Sequence, residues 1–191
     1  MSLAIIGGEF KGRPLKSPQE SFTKPTLSLM RKSVFDICQS YIENSRFLDL
    51  FACSGAMGIE AISRGALHAT FIENDRKTSK VLLENIKSFN LEKKTDLLTA
   101  DVFKAILTLK KDPYDIVYID PPYPISKEPN SPVLSLLHFL DTSNLLSSSG
   151  LVFVEEGAPG SLHLEKQTFH RLQYKNSRKF GAALLHQLLV K

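Results

Sequence analysis

Segments with strand-like and helix-like patterns alternate between residues 46 and 120, and this alternation is the feature that most limits the possible folds. Short runs rich in apolar and β-branched residues predict strands at 46–52, 69–74, 95–99 and 115–120. Longer amphipathic segments between them predict helices at 56–64, 76–89 and 102–110. Strands separated by helices of this length form βαβ units with right-handed crossovers. The sequence therefore predicts an α/β fold with a doubly wound, Rossmann-like sheet that is mostly parallel.

The segments on either side of this alternation predict smaller additions. Residues 4–16 carry β-branched residues interrupted by glycines, a pattern typical of a hairpin with bulges, and residues 26–41 have the apolar spacing of a helix. Towards the C-terminus we expect a helix over 133–140, a strand over 151–155 and an antiparallel pair over 168–175 and 182–190. We therefore expect a hairpin and helix extension over residues 1–44 and the main α/β domain over residues 45–191.

Length and composition exclude several classes of protein. With 191 residues, the chain can form one α/β domain with a full core but not two domains of ordinary size. No apolar run approaches the roughly 20 residues that span a bilayer, and the N-terminus lacks the basic start of a signal peptide. Cys38 and Cys53 have no paired spacing and the five histidines are scattered, so we expect neither disulfides nor a metal. We expect a cytoplasmic protein that does not contact a membrane.

Basic residues are concentrated at the two ends of the chain. The formal net charge is +4, and the two basic ends enclose a middle with balanced charge. Basic surfaces favour a polyanionic partner such as RNA. Our candidates for contacts with an RNA backbone are Lys11, Arg13, Lys16, Arg31 and Lys179. Arg31 falls away from the apolar face of the helix predicted over residues 26–41, so we expect it at the surface.

The strand predicted at 115–120 ends in a turn that can accept hydrogen bonds. Asp120 follows the apolar run, and Pro121, Pro122 and Tyr123 come directly after it. Proline has no N–H group and holds φ near −65°, so the turn is stiff and offers carbonyl oxygens without competing donors. Asp120 and the Pro121 carbonyl can accept the two hydrogens of a planar exocyclic amine, while Tyr123 stacks on the attached ring. The turn resembles the target-amine clamp of amino-methyltransferases, although a plain stiff turn stays an alternative for this stretch alone.

A glycine-containing loop follows the first predicted strand. Ligands of open α/β sheets bind at the carboxyl ends of the strands. Here Cys53, Gly55 and Gly58 match the dinucleotide pattern G-x-G-x-x-G except at its first position, and Glu73 ends the next strand, where a carboxylate can hold ribose hydroxyls. The neighbouring candidates for cofactor contacts on these strand ends are Phe51, Ala52, Asn74 and Val102.

Two further acids indicate which cofactor the loop binds. Asp49, beside the glycine loop, repels phosphates but can attract an ammonium or sulfonium group. This charge favours S-adenosylmethionine over a nicotinamide cofactor. Asp101 ends the third strand, where it can accept from an adenine amino group or cap the following helix, and the two roles are compatible.

The candidate residues follow the order of the predicted strands, which is Asp49, Gly55, Glu73, Asp101 and then Asp120–Tyr123. With the run Phe47-Leu-Asp-Leu-Phe-Ala-Cys-Ser-Gly-Ala-Met-Gly, this order resembles the RsmD-type methyltransferases, which methylate the exocyclic N2 of a guanine in 16S ribosomal RNA. The N-terminal Ile5-Ile-Gly-Gly and Gly12-Arg13 are similar to that family as well. Cys53, Lys24, Lys32 and Asp36 depart from its usual glycine, arginine, glutamate and asparagine. The resemblance implies a class I methyltransferase fold, S-adenosylmethionine as cofactor and RNA of the assembled or assembling small ribosomal subunit as substrate.

Other functions remain open at this point. The same clamp accepts any planar amine, so an adenine-N6 or a protein-glutamine methyltransferase is an alternative. The glycine loop alone also fits a nicotinamide-dependent oxidoreductase, and the basic ends alone fit a noncatalytic RNA-binding module.

Overall fold

The computed structural model describes residues 3–18, 25–109, 112–122, 131–157 and 162–191. The chain divides into two compact units, Met1–Leu109 and Lys110–Lys191. Within the described ranges, no helix has both the length and the apolar character needed to cross a membrane.

The first unit contains three parallel strands connected by helices. Its elements are α1 (Pro25–Ile37), β1 (Arg46–Leu50), α2 (Ala56–Ser63), β2 (His68–Glu73), α3 (Arg76–Ser88), β3 (Thr95–Thr99) and α4 (Val102–Ala105). Strand β2 pairs in parallel with β1 on one side and with β3 on the other. Phe47, Leu48 and Leu50 of β1 are fully buried, as expected for a strand covered on both faces. The carboxyl ends of β1 and β2 lie at one edge because Leu50 is in register with Ile72.

The second unit combines parallel and antiparallel strands. Its elements are β4 (Tyr114–Ile119), α5 (Pro132–Thr142), β5 (Leu146–Glu156), β6 (Leu172–Phe180) and β7 (Ala183–Val190). Strand β4 pairs in parallel with β5, β5 pairs antiparallel with β7, and β7 pairs antiparallel with β6. Helix α5 begins after Ser131, whose Oγ accepts the Val133 N–H at 3.3 Å.

These pairings confirm the predicted α/β fold, mostly parallel with an antiparallel C-terminal pair. The predicted elements differ from the observed ones mainly at their ends. The helix predicted over 26–41 and the one predicted over 102–110 both end in a 3₁₀ turn, at Cys38–Ser40 and Ile106–Thr108. Strand β5 begins five residues earlier than predicted, since the polar run Ser147–Gly150 gives no strand signal although Leu146 pairs with Tyr114.

The N-terminal segment, residues 3–18, packs on the C-terminal end of α2. It folds back as a short antiparallel hairpin: the Leu15 N–H donates to the Leu3 carbonyl at 2.8 Å and the Ile5 N–H to the Arg13 carbonyl at 3.0 Å, on either side of a bridge between Ala4 and Pro14. The carbonyl of Ser63 accepts the Glu9 N–H at 2.7 Å, and the Ser63 hydroxyl donates to the Gly7 carbonyl at 2.7 Å. The segment therefore provides hydrogen bonds that the end of a helix lacks.

Two glycines of this segment form a matched pair for testing its packing. Gly8 (φ +73°) and Gly12 (φ +84°) both adopt the left-handed conformation, but a Cβ at Gly8 would lie 1.8 Å from the Ser63 carbonyl oxygen, whereas a Cβ at Gly12 meets nothing within 4 Å. We expect Gly12→Ala to lower the free energy of unfolding by about 1 kcal/mol and Gly8→Ala by about 2–4 kcal/mol, because only the latter adds a backbone clash. Urea unfolding of both variants measures the difference. Equal losses would show that the contact with Ser63 does not constrain the segment.

Candidate active site

The loop after β1 takes the shape of a glycine loop without the first glycine. Phe51 (φ +64°), Cys53 (φ +49°) and Gly55 (φ +78°) all have positive φ. A left-handed conformation costs a residue with a Cβ roughly 1–2 kcal/mol. Cys53 thus adopts the conformation that a glycine would take freely, and the departure from the pattern leaves the turn in place.

Gly55 and Gly58 are required by packing inside the first unit. A Cβ at Gly55 would lie 2.1 Å from the Leu82 side chain, and a Cβ at Gly58 would lie 2.3 Å from the Phe71 ring. Both glycines therefore let the loop and the start of α2 approach β2 and α3 closely. Contact of this glycine loop with a cofactor stays a prediction.

Asp49 places a carboxyl group in the interior, beneath the first turn of α2. Asp49 is only 2 % exposed, and its Oδ2 accepts the Gly58 N–H at 3.1 Å. Burial raises the pKa of Asp49 to about 8, while the Gly58 N–H opposes this rise and the Glu73 carboxylate adds to it. A cationic ligand nearby would favour the ionised form of such a group. The prediction that Asp49 attracts a sulfonium or ammonium group stays a prediction.

Glu73 connects the loop after β1 to the turn after β2. Its Oε2 accepts the Cys53 N–H and its Oε1 accepts the Asp75 N–H, both at 2.8 Å. Each carboxylate oxygen has a second lone pair, which ribose hydroxyls can use. The structure thus brings Asp49, the glycine loop and Glu73 together at one edge of the first unit, as the strand order predicts.

The remaining cofactor candidates lie on the same strand ends. Asp101 caps α4 by accepting the Lys104 N–H at 3.2 Å, which confirms the capping role but does not test contact with adenine. Val102 and Ala52 are buried, Phe51 is half-buried and Asn74 is exposed. Their contacts with a cofactor stay predictions.

The bridging role of Glu73 can be tested by Glu73→Gln. The amide group has only one oxygen, so either the Cys53 or the Asp75 N–H loses its acceptor and the loop is held less firmly. We expect S-adenosylmethionine affinity, measured by calorimetry, to fall about tenfold. Glu84→Gln is the control, since Glu84 is an exposed acid on α3 that pairs with Lys16. Equal affinities of the two variants would contradict the role given to Glu73.

The predicted amine clamp lies in the second unit. Asp120, half-buried, follows Ile119 at the end of β4, while Pro121 is buried and Pro122 is exposed. Tyr123 lies outside the described residues, so its stacking role stays a prediction. The structure therefore delivers the acid to the carboxyl end of a strand, where the sequence pattern expects it.

Four of the five candidate RNA contacts are exposed. Lys11, Arg13, Lys16 and Lys179 lie at the surface. Arg13 lies over the Phe89 ring, with its guanidinium 4.0 Å from the ring centroid, and donates to the Ser88 carbonyl at 2.6 Å. Lys16 pairs with Glu84 at 2.7 Å, a surface contact that costs little to open. Contact of these residues with RNA stays a prediction.

The expectation that Arg31 lies at the surface is wrong. Arg31 is 5 % exposed, because its guanidinium donates to the Ala4 carbonyl at 2.6 Å and lies 3.7 Å from the Glu60 carboxylate. Glu60 is fully buried and also accepts from Ile6 N–H at 2.8 Å and Arg64 Nε at 2.7 Å. Arg31 therefore neutralises a buried charge and is not presented to a phosphate backbone.

The sequence reasoning missed two groups of residues. The Glu60 cluster joins residues far apart in the chain, and no local pattern indicates it. Tyr118 and Glu155 form the second group. Strand alternation could have placed Tyr118 on the face of Asp120, two residues later, but the position of Glu155 beside them requires the register between β4 and β5. Within the described ranges, no three histidine, cysteine or acidic residues are grouped so that they could hold a metal ion.

Comparisons with known proteins cover nearly the whole chain. A family model described as Conserved hypothetical protein 95 matches residues 3–187. The Ribosomal RNA small subunit methyltransferase D of Escherichia coli (strain K12) is 31 % identical over 188 residues, which cover 92 % of this chain and 91 % of that protein.

Solved structures show the same fold. A structure described as putative methyltransferase yhhF from Escherichia coli is 26 % identical, with a TM-score of 0.81 over 100 % of this chain and 99 % of that chain. A putative methyltransferase complexed with SAH is 18 % identical, with a TM-score of 0.64 over 85 % of this chain and 50 % of that chain, a likeness that concerns the fold alone. The arrangement of strands and helices in both units is thus that of methyltransferase structures.

Proposed function

Since the chain belongs to the RsmD family of ribosomal RNA methyltransferases, we propose that it methylates the exocyclic N2 of a guanine in 16S ribosomal RNA. It is an S-adenosylmethionine-dependent methyltransferase of ribosomal RNA. Our proposal concerns the atom that receives the methyl group and the form of the RNA substrate. Ribosomal RNA as the substrate would place the enzyme in the cytoplasm.

The position of Asp120 and Pro121 is the observation that supports an amine as the methyl acceptor. Both follow the end of β4, where the carboxylate and the Pro121 carbonyl are acceptors without a proline N–H beside them. A planar amine presents two hydrogens in one plane, and two acceptors can hold both of them. A hydroxyl or a ring carbon could not use the pair in this way.

The amino group of guanine is a poor nucleophile because its lone pair is delocalised into the ring. Asp120 and the Pro121 carbonyl would hold its hydrogens so that the nitrogen lone pair turns out of the ring plane. S-adenosylmethionine supplies an electrophilic methyl group on its sulfonium. In this proposal Asp120 would also accept the proton that the amine loses, a role usually worth about 10²–10⁴-fold in rate.

The first unit offers residues that suit the cofactor. The buried carboxyl of Asp49 would face its positive charge, and the Glu73 carboxylate, already fixed by two N–H donors, would accept from the ribose hydroxyls. Asp101, at the end of β3, would accept from the adenine amino group. These assignments rest on charge, burial and acceptor geometry within the first unit.

The substrate is proposed to be a prefolded RNA that presents one unpaired guanine. The described part of the chain has a methyltransferase fold with a short basic N-terminal segment, a small surface for reading a long RNA sequence through its bases. A base that is already unpaired costs less to bring into a pocket. The assembled or assembling small subunit can provide such a shape, which scattered lysines and arginines would recognise.

A direct comparison of substrates tests the proposal. The protein is incubated with labelled S-adenosylmethionine and, in parallel, with small subunits lacking the modification, protein-free 16S RNA and a short hairpin. We expect N2-methylguanine by nucleoside mass spectrometry and faster labelling of the subunits than of either RNA. N6-methyladenine as the product would contradict the guanine target, and label in protein would contradict the RNA substrate. Faster labelling of the hairpin would contradict the preference for small subunits.

A further inference from the structure

Glu155 and Tyr118 form a hydrogen-bonded pair that the proposed mechanism does not use. The Tyr118 hydroxyl donates to Glu155 Oε2 at 2.8 Å. Tyr118 is 4 % exposed and Glu155 is half-buried. Burial raises the pKa of Glu155, and the Tyr118 hydroxyl opposes this rise by stabilising the ionised form. The buried Tyr118 thus holds the Glu155 carboxylate in place near the end of β5.

The strand register places Glu155 beside the amine clamp. Ile119 of β4 lies opposite Val154 of β5. Asp120 follows Ile119 and Glu155 follows Val154, so the two acids come at the same level on adjacent strands. Because successive side chains of a strand point to opposite faces, Tyr118, Asp120 and Glu155 share one face.

The neighbouring acid, Glu156, shows what a structural carboxylate in this strand looks like. It points to the opposite face, is 1 % exposed, and accepts from the Leu162 N–H at 3.1 Å and pairs with His186 at 2.8 Å. Glu155 differs because it keeps partial contact with solvent. A carboxylate can accept about four hydrogen bonds, and the Tyr118 hydroxyl takes one of them.

The chemistry of guanine gives this second carboxylate a role. The N1–H of guanine lies next to its 2-amino group, so a base whose amine is held at Asp120 presents a further donor close by. Adenine instead has a lone pair at N1, beside its 6-amino group. A carboxylate at this position accepts from guanine and repels adenine, and sites built around such a hydrogen bond discriminate strongly.

We propose that Glu155, oriented by Tyr118, accepts the N1–H of the target guanine and thereby selects guanine over adenine. This inference rests on the proposed function and adds a specificity-determining contact to it. Tyr118 is a positioning residue in this arrangement, since it acts through Glu155.

The test uses 2-aminopurine in place of the target guanine. This base keeps the 2-amino group but has a lone pair at N1. Small-subunit RNA with either base at the mapped target is assembled into subunits, and single-turnover rates are compared. We expect the wild-type enzyme to prefer guanine by at least about 100-fold. Glu155→Gln should react with guanine at least about tenfold more slowly, and its preference should shrink to within several-fold, because a glutamine can also donate to N1.

Two further variants make the result interpretable. Tyr118→Phe keeps the buried ring and should reduce the preference for guanine partly, while Glu165→Gln, an exposed acid of the same unit, should leave it unchanged. If Glu155→Gln fails to bind S-adenosylmethionine, the preference of Tyr118→Phe for guanine decides whether the inference holds. A preference equal to that of the wild type in the folded variants would overturn the inference. A wild-type enzyme that forms no N2-methylguanine would instead refute the proposed function.

Discussion

Asp120→Ala should lower the single-turnover rate of methyl transfer by at least about 100-fold while S-adenosylmethionine affinity stays within several-fold of the wild type. The carboxylate at the end of β4 is one of the two acceptors proposed to hold the target amine, so its loss leaves the lone pair delocalised into the ring. Rapid-quench measurement with small subunits gives the rate, and calorimetry gives the affinity.

The control for this variant is Asp112→Ala, an exposed acid near the start of the same strand. It should react at the wild-type rate. If Asp120→Ala also reacts near that rate, the amine is held elsewhere. If Asp120→Ala instead loses cofactor affinity with its rate intact, Asp120 belongs to the cofactor site.

Asp49 should make S-adenosylmethionine binding depend on pH. Burial raises the pKa of Asp49 to about 8 in the unliganded protein, so the group is mostly protonated at pH 6. A bound sulfonium favours the ionised carboxylate, which means that binding releases a proton. Between pH 6 and pH 7.5, where the cofactor's own α-amino group stays mostly protonated, the Kd should fall about tenfold per pH unit.

Asp49→Asn should abolish this dependence and bind about 30-fold more weakly than the wild type at pH 7.5. Calorimetry in two buffers of different ionisation enthalpy measures the released proton directly. Asp75→Asn is the control, since the exposed Asp75 has a lowered pKa through the Thr78 N–H and should keep the wild-type dependence. A wild-type Kd that is flat over this range would refute the role of Asp49.

The same carboxyl sets a direction for the stability of the unliganded protein. The folded state holds a proton on Asp49 that the unfolded state has lost above its ordinary pKa of about 4. The stabilisation of the folded state by the raised pKa of Asp49 is therefore complete below pH 4 and is lost as the pH rises towards 8. The difference in melting temperature between Asp49→Asn and the wild type should therefore shift in favour of Asp49→Asn as the pH rises across this range.

The parallel strands could be predicted because they depend on local patterns. Strand β3 has its predicted bounds, and β1, β2 and β4 end within two residues of theirs, since buried apolar runs mark them. The order of acids at strand ends follows from the same alternation. These are the features that a sequence shows without any long-range information.

The contacts around Glu60 could not be predicted because they join distant residues. Arg31 fits a polar helix face by spacing alone, yet a buried carboxylate on α2 draws its guanidinium inward. Glu155 shows the same limit on a smaller scale, because strand register must be known before it can be placed beside Asp120. The positive φ of Cys53 could also be found only in the structure, because a residue type does not determine its backbone conformation.

The buried carboxylate of Glu60 also determines how this chain can be recombined with its relatives. Its charge is balanced by donors from three separate segments: the Ile6 N–H, Arg31 of α1 and Arg64, which follows α2. A chimera that replaces α1 with a helix lacking this arginine keeps the acid but loses a charged donor, and removing part of a buried ion cluster is strongly destabilising. Helix α1 is therefore not an interchangeable module. It can be transplanted, or diverge, only together with the helix that begins at the cofactor loop.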